Sequence, residues 1–141
     1  GPGQTDRFVA PALAGRVAQN ERSGDDVVRV GNLSPERDFT DVRDVVRAYR
    51  LMIERGRSGE VYNVCSGRAI AVQDLAEQLI AMATIPMRLE ADPTLERPVD
   101  IPVLLGDNSR LRTDTGWEPR IALSTTLADL LDDRRRRLDE S

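Results

Sequence analysis

The apolar positions of this chain alternate between two periodicities, helical blocks and short β-branched runs. Between Thr40 and Arg55, Val42, Val45, Val46, Tyr49, Met52 and Ile53 recur at helical spacing, with Thr40 or Asp41 placed to cap the start and Gly56 just past the end. The pattern predicts a helix over 40–55. A second helix is expected over Phe8–Glu21, with Leu13 and Val17 on one face and Pro11 near its start, where a first turn tolerates proline. Val72, Leu75, Ala76, Leu79 and Ile80 give a third, and Asn108–Thr115 a short one stopped by Gly116. In the last, Ser124 is the expected cap, Leu127, Leu130 and Leu131 face inward, and the end is Arg134–Arg137.

Strands are expected where β-branched runs lie between turn residues: Val27–Val30, closed by Gly31-Asn32; Glu60–Cys65, between Gly59 and Gly67; and Met87–Ala91. Asp92–Gly106 carries prolines and no clear period, which makes it a long connecting or functional loop. Helix and strand in this alternation imply an α/β fold, with parallel strands covered by helices. A length of 141 residues at 40% hydrophobic suits one domain or a large piece of one.

Charge and composition narrow the chemistry. A net charge of -4 lacks the positive surplus that a general nucleic-acid binder needs. All 20 basic residues are arginine, with no lysine and no histidine. Serine–histidine, cysteine–histidine and histidine–metal sites are thereby excluded, as are a Schiff-base amine and a Tyr-x-x-x-Lys pair. Cys65 is the single cysteine, so no internal disulfide or multi-cysteine metal cluster can form, which fits a reducing cytoplasm. No apolar stretch approaches the roughly 20 residues that span a bilayer, and the first residues lack a signal-peptide pattern. A cytoplasmic protein without a metal or a membrane partner is expected.

Four segments carry candidate chemistry. Arg37, in Arg37-Asp38-Phe39, offers a planar fork for a diphosphate, although on spacing alone an Arg–Asp surface pair beside a core phenylalanine is the plainer reading. Arg97 and Asp100, in Arg97-Pro98-Val99-Asp100, offer a second phosphate ligand and an acceptor for a sugar diol, or simply a solvated loop. Tyr62 and Cys65 lack a base to activate them, so Tyr62–Gly67 reads as a buried strand ending in a glycine turn. Asp132 and Asp133 lie one turn before Arg136 and Arg137, which reads as a charged helix end.

Gly1-Pro2-Gly3-Gln4, Phe8-Val9, Gly31-Asn32-Leu33, Arg37-Asp38-Phe39, Tyr62-Asn63-Val64-Cys65-Ser66-Gly67, Arg97-Pro98 and Gly116-Trp117-Glu118-Pro119 occur in that order. Their order and spacing resemble the C-terminal portion of GDP-mannose 4,6-dehydratases and GDP-4-keto-6-deoxymannose reductases, within the extended short-chain dehydrogenase/reductase family. Each motif is weak alone; together they cover essentially the whole chain. The resemblance implies that residues 1–141 form a domain binding a GDP-sugar. The glycine-rich NADP loop and the Ser/Thr-Tyr-Lys triad would lie in a preceding Rossmann domain, so the chain alone is expected to be inactive.

By the resemblance, Phe8 and Val9 line the sugar-nucleotide pocket and Arg37 and Arg97 hold the diphosphate. Asp100 takes the place of a family carboxylate, usually Glu, that reaches the ribose hydroxyls. The dehydratases usually carry a lysine shortly after the Phe-Val pair, where this chain has Ala10-Pro11-Ala12-Leu13. That departure favours the reductase, which transfers hydride from NADPH to the 4-keto carbon of GDP-4-keto-6-deoxymannose and gives GDP-rhamnose. The dehydratase, a lyase, is the close alternative, and a stand-alone non-catalytic binding module is a third. The resemblance also implies a seam, with Val27–Val30 and Phe39 facing the absent half, left apolar or covered by a second copy in a homo-oligomer.

Overall fold

A computed structural model describes the backbone of residues 2–96 and 102–141 and, from Val9 onward, their side chains apart from Leu104. Helix α1 (Pro2–Ser23) leads into β1 (Val27–Val30), β2 (Glu36–Asp38) and α2 (Val42–Arg55). Then come β3 (Ala69–Ala71), α3 (Val72–Ala81), β4 (Arg88–Ala91), a 3-10 turn (Pro93–Leu95), β5 (Val103–Leu104), α4 (Ser109–Thr115) and α5 (Leu123–Asp139).

The helical expectations hold, with two corrections at the ends. Asp41 caps α2 by accepting from the Arg43 N–H, and Gly56 closes it with its N–H on Met52 O. Gly116, in the left-handed region at φ 74°, stops α4. α1, however, begins at Pro2, so Pro11 is interior, where it cannot donate to the carbonyl four residues back. Ser124 lies within α5 and Ala122 holds the capping position without a side-chain bond.

The strands form two small sheets. β1 and β4 pair in parallel, Val27 opposite Arg88 through Val30 opposite Ala91. β2 is central in the other sheet, parallel to β5 and antiparallel to β3, so the expectation of wholly parallel strands is corrected. β2 and β3 are separated in sequence by α2; Gly67, at φ 79°, turns the returning chain beside the end of β2, and β3 runs back with Ala69 opposite Asp38. The expected strand over Glu60–Cys65 is also corrected. Among the described residues no strand pairs with it; side chains meet its carbonyls instead, Arg110 Nη1 on Val61 O (3.3 Å) and Asn108 Nδ2 on Cys65 O (2.9 Å). An apolar run becomes a strand only where a partner completes its ladder.

Two hydrophobic clusters hold the fold. The larger joins α1, β1, α3 and α5 through Leu13, Val17, Val28, Leu75, Leu79 and Leu127, with Val9, Leu33 and Phe39 packed against it. Val28 and Val30 are therefore core, and the expectation that Val27–Val30 and Phe39 face an absent half is corrected, because β4 and the larger cluster take them up. The smaller cluster sets Trp117 against Ala48 and Leu111. A stripe on α2 stays uncovered: Val42 is 70% exposed and Ile53 87%, with Val46 and Tyr49 between them at helical spacing. Arg135 ties α5 to α1 through a two-pronged pair with Glu21 (2.8 and 2.7 Å); Asp133 meets Arg136 and Arg137, as the charge pattern predicted, whereas Asp132 pairs with Arg135. Among the described residues no helix is long and apolar enough to cross a membrane.

Candidate functional site

Arg37 is carried on β2, the middle strand of the three-stranded sheet, which is three residues long and paired on both sides. The Glu36 N–H donates to Pro102 O at 2.8 Å, while Arg37 Nη1 donates to Glu36 O at 2.8 Å and reaches Pro102 O at 3.5 Å. The expectation of a loop throughout Asp92–Gly106 is corrected by the 3-10 turn and β5 within it, and half-buried Arg37 sits beside Pro102, where that stretch joins the sheet. At its other end that loop is seated by Gly31: the carbonyl of Leu95 occupies the place where a Cβ would project, so only glycine fits.

Asp38, next on the strand, faces the 65–67 turn. Its Oδ1 accepts from Ser66 N (2.9 Å) and Ser66 Oγ (2.6 Å), and its Oδ2 from Gly67 N (2.8 Å). On the far side of the turn the Asn108 side chain packs against Gly67 and bonds Cys65 O. Gly106 lies against Cys65, whose Sγ is 2.6 Å from where a Gly106 Cβ would stand.

The expected site residues fare as follows. Arg37 lies at the loop junction. Val9 is half-buried on α1 and packs on the cluster that also takes Phe39, which links α1 to the end of β2. Phe8 belongs to α1, but its side chain, with Arg97 and Asp100, lies outside the described residues.

An open cleft of about 450 Å³ runs beside α2, lined by Val45, Tyr49, Met52, Tyr62, Cys65 and Gly106 among others. Cys65 and Tyr62, in its wall, are not activated. Burial, and then the nearby Asp38 and Asp107 carboxylates, push the Cys65 thiol up, so it stays protonated at neutral pH. The Arg57 N–H on Tyr62 Oη (2.8 Å) pulls that phenol down, but desolvation and the Asp114 carboxylate that accepts its proton (2.8 Å) outweigh it and raise it. Tyr62 is a tie between loop and α4, not a proton donor tuned to neutral pH. The Asp38 grip on Ser66 and Gly67 was not anticipated; the signals for it are the carboxylate at the end of Arg37-Asp38 and a Ser-Gly pair suited to a turn.

A dinucleotide does not fit these residues. Gly31, Gly67 and Gly106 admit the Leu95 carbonyl, the Asn108 side chain and the Cys65 sulfur, and none opens a helix as a phosphate cradle does.

The fold is that of the C-terminal part of extended short-chain dehydrogenases/reductases. The structure of RMD from Pseudomonas aeruginosa complexed with NADPH superposes with a TM-score of 0.85 at 34% identity, covering 97% of this chain and 46% of that one. UDP-glucose 4-epimerase from Thermotoga maritima, solved with UDP-glucose, superposes with a TM-score of 0.73 at 27% identity, over 90% and 40%. A family model described as GDP-mannose 4,6 dehydratase matches residues 1–130, and the chain belongs to that family. GDP-6-deoxy-D-mannose reductase of Pseudomonas aeruginosa is 35% identical over 141 residues, which cover 99% of this chain and 46% of that protein. The chain thus spans about half the length of that relative.

Proposed function

We propose that this chain is the substrate-binding portion of an NADP-dependent GDP-4-keto-6-deoxy-D-mannose reductase, with Arg37 as a ligand of the substrate diphosphate. The observation that supports this most is the placement of Arg37 on a central strand at the junction with the Asp92–Gly106 loop, in a chain similar along its length to a GDP-6-deoxy-D-mannose reductase. A planar guanidinium placed there suits a diphosphate, whose oxygens it can meet in paired hydrogen bonds. Arg97, Asp100, Phe8 and Val9 complete the proposed site. NADP supplies hydride in such enzymes, and its site belongs to a separate Rossmann half.

The apolar stripe of α2 and the Glu60–Cys65 run, which no strand pairs among the described residues, are the proposed seam with that half. They favour this reading over a self-sufficient binding module, because a stand-alone domain rarely leaves such a face bare. The dehydratase remains the second reading, favoured by the description of the matching family. The experiment is an assay of the gene product that contains this chain. The reductase reading expects NADPH oxidation with GDP-4-keto-6-deoxymannose, whereas consumption of GDP-mannose without net NADPH turnover would establish the dehydratase. The 141-residue chain alone is expected to do neither, since it contains no lysine for the catalytic pair; turnover by it would refute the proposal.

A further inference from the structure

We infer that Asp38 is the positioning residue for Arg37, acting through the Ser66–Gly67 turn; the role of Arg37 on a diphosphate rests on the reading above. β2 is only three residues long, so its pairing supplies few bonds to hold Arg37 against the pull of a charged ligand. Asp38 adds three more at the next residue, all to one turn: Ser66 N–H and O–H on one oxygen and Gly67 N–H on the other, at 2.6–2.9 Å. Thr40 Oγ1 lies 3.4 Å from Oδ1. Bonds to a carboxylate are stronger than neutral ones, and here both oxygens are in use.

The turn itself is braced from the far side. Asn108, buried at the start of α4, packs on Gly67 and bonds Cys65 O. Arg37 is therefore set between two fixed points, the Pro102 carbonyl on the β5 side and the Asp38 clamp on the β3 side. Asparagine has nearly the same shape but one acceptor oxygen, so in D38N an amide NH2 meets an N–H donor at Ser66 or Gly67 and that contact turns repulsive. S66A removes the hydroxyl, which bonds Asp38 and also accepts from the Arg68 N–H (3.1 Å) within the turn, but leaves both backbone donors on the carboxylate.

The test is a double-mutant cycle on the 141-residue chain, with GDP affinity read by calorimetry for wild type, R37A, D38N and R37A/D38N. D38N alone is expected to lose about tenfold in affinity, the equivalent of one charge-assisted hydrogen bond. S66A should lose less. In the R37A background D38N should change nothing further, because its effect passes through Arg37. Equal losses in both backgrounds, or none, would overturn the inference. A second arm needs no ligand: amide exchange at residues 36–38 should accelerate about tenfold in D38N while Val27–Val30, in the other sheet, keep their rates. Unchanged exchange at 36–38, or acceleration in both sheets, would also overturn it. Should GDP bind none of the chains, the exchange arm decides the coupling and the silent titration counts against the diphosphate reading alone.

Discussion

The indole N–H of Trp117 donates to the backbone carbonyl of Asp44, 2.9 Å away, at a point where both residues are almost wholly buried. The same Asp44 turns its carboxylate to the chain beyond Trp117, accepting the N–H groups of Arg120 (3.2 Å) and Ile121 (3.0 Å) and pairing with Arg47. Gly116-Trp117-Glu118-Pro119, one of the motifs behind the family resemblance, is therefore a latch that fastens the α4–α5 connection to α2. D44A would leave two backbone donors without their acceptor and remove the ion pair of Arg47, which would keep only the Glu118 carbonyl, and we expect a loss of about 3 kcal/mol in urea unfolding at pH 7. W117F, which keeps an aromatic but deletes the N–H, should cost about 1–3 kcal/mol. A D44A variant as stable as wild type would show that the latch carries no weight.

Stability should be flat from about pH 6 to about pH 8, because the chain has no histidine, and burial holds the lone thiol above its ordinary value. Below that range the carboxylates decide. The Arg43 guanidinium on Asp41, helped by Thr126 Oγ1 and the Arg43 N–H against an opposing burial effect, holds that carboxyl far below its usual range. Arg135 likewise lowers Glu21. A depressed folded-state pKa gives stability that is present above the unfolded value, near 4, and is lost as pH falls through the folded one. D41N should therefore cost about 1–3 kcal/mol at pH 7, and the gap to wild type should close as pH drops below about 4. A gap that widens in acid would contradict the assignment.

The exposed stripe of Val42, Val46, Tyr49 and Ile53 predicts concentration-dependent association of the isolated chain. Light scattering on a dilution series should show the mean mass rising with concentration. V46D/I53D should suppress the rise, with little change in thermal midpoint, since both side chains are largely in water. A monomer at every concentration would mean that the stripe needs no partner.

Gly106 and Cys65 make a coupled pair. G106A drives a methyl into the Cys65 sulfur and should cost about 1–3 kcal/mol, part of it recovered in C65A/G106A, where the sulfur is gone. Additive losses in denaturant melts would rule out the clash.

The helices were legible because their signals are local. Asp41 and Gly56 fix the ends of α2 within a turn of the chain they bound. Which side of α2 is buried was not legible: apolar residues occupy much of its circumference, and burial went to Asp44 and Ala48, leaving Val42 and Ile53 outside. β2 was hidden for the opposite reason, since Glu36-Arg37-Asp38 has no apolar alternation and is a strand only through pairing with β3 and β5. Val61 to Cys65 had the composition of a strand and lacks a partner among the described residues. In the site, Arg37 could be singled out by its chemistry. The roles of Gly31 and Asp38 depend on contacts with Leu95, Ser66 and Gly67, dozens of residues away, which no spacing rule records.

The most direct test of the central claim is a calorimetric titration of GDP into the 141-residue chain and into R37A. Wild type should bind saturably with one site per chain, and R37A should bind at least about tenfold more weakly, the loss of a charge-assisted contact to phosphate, at an unchanged thermal midpoint. Equal affinity in the two proteins, or no binding to wild type, would contradict the assignment of Arg37 to the diphosphate.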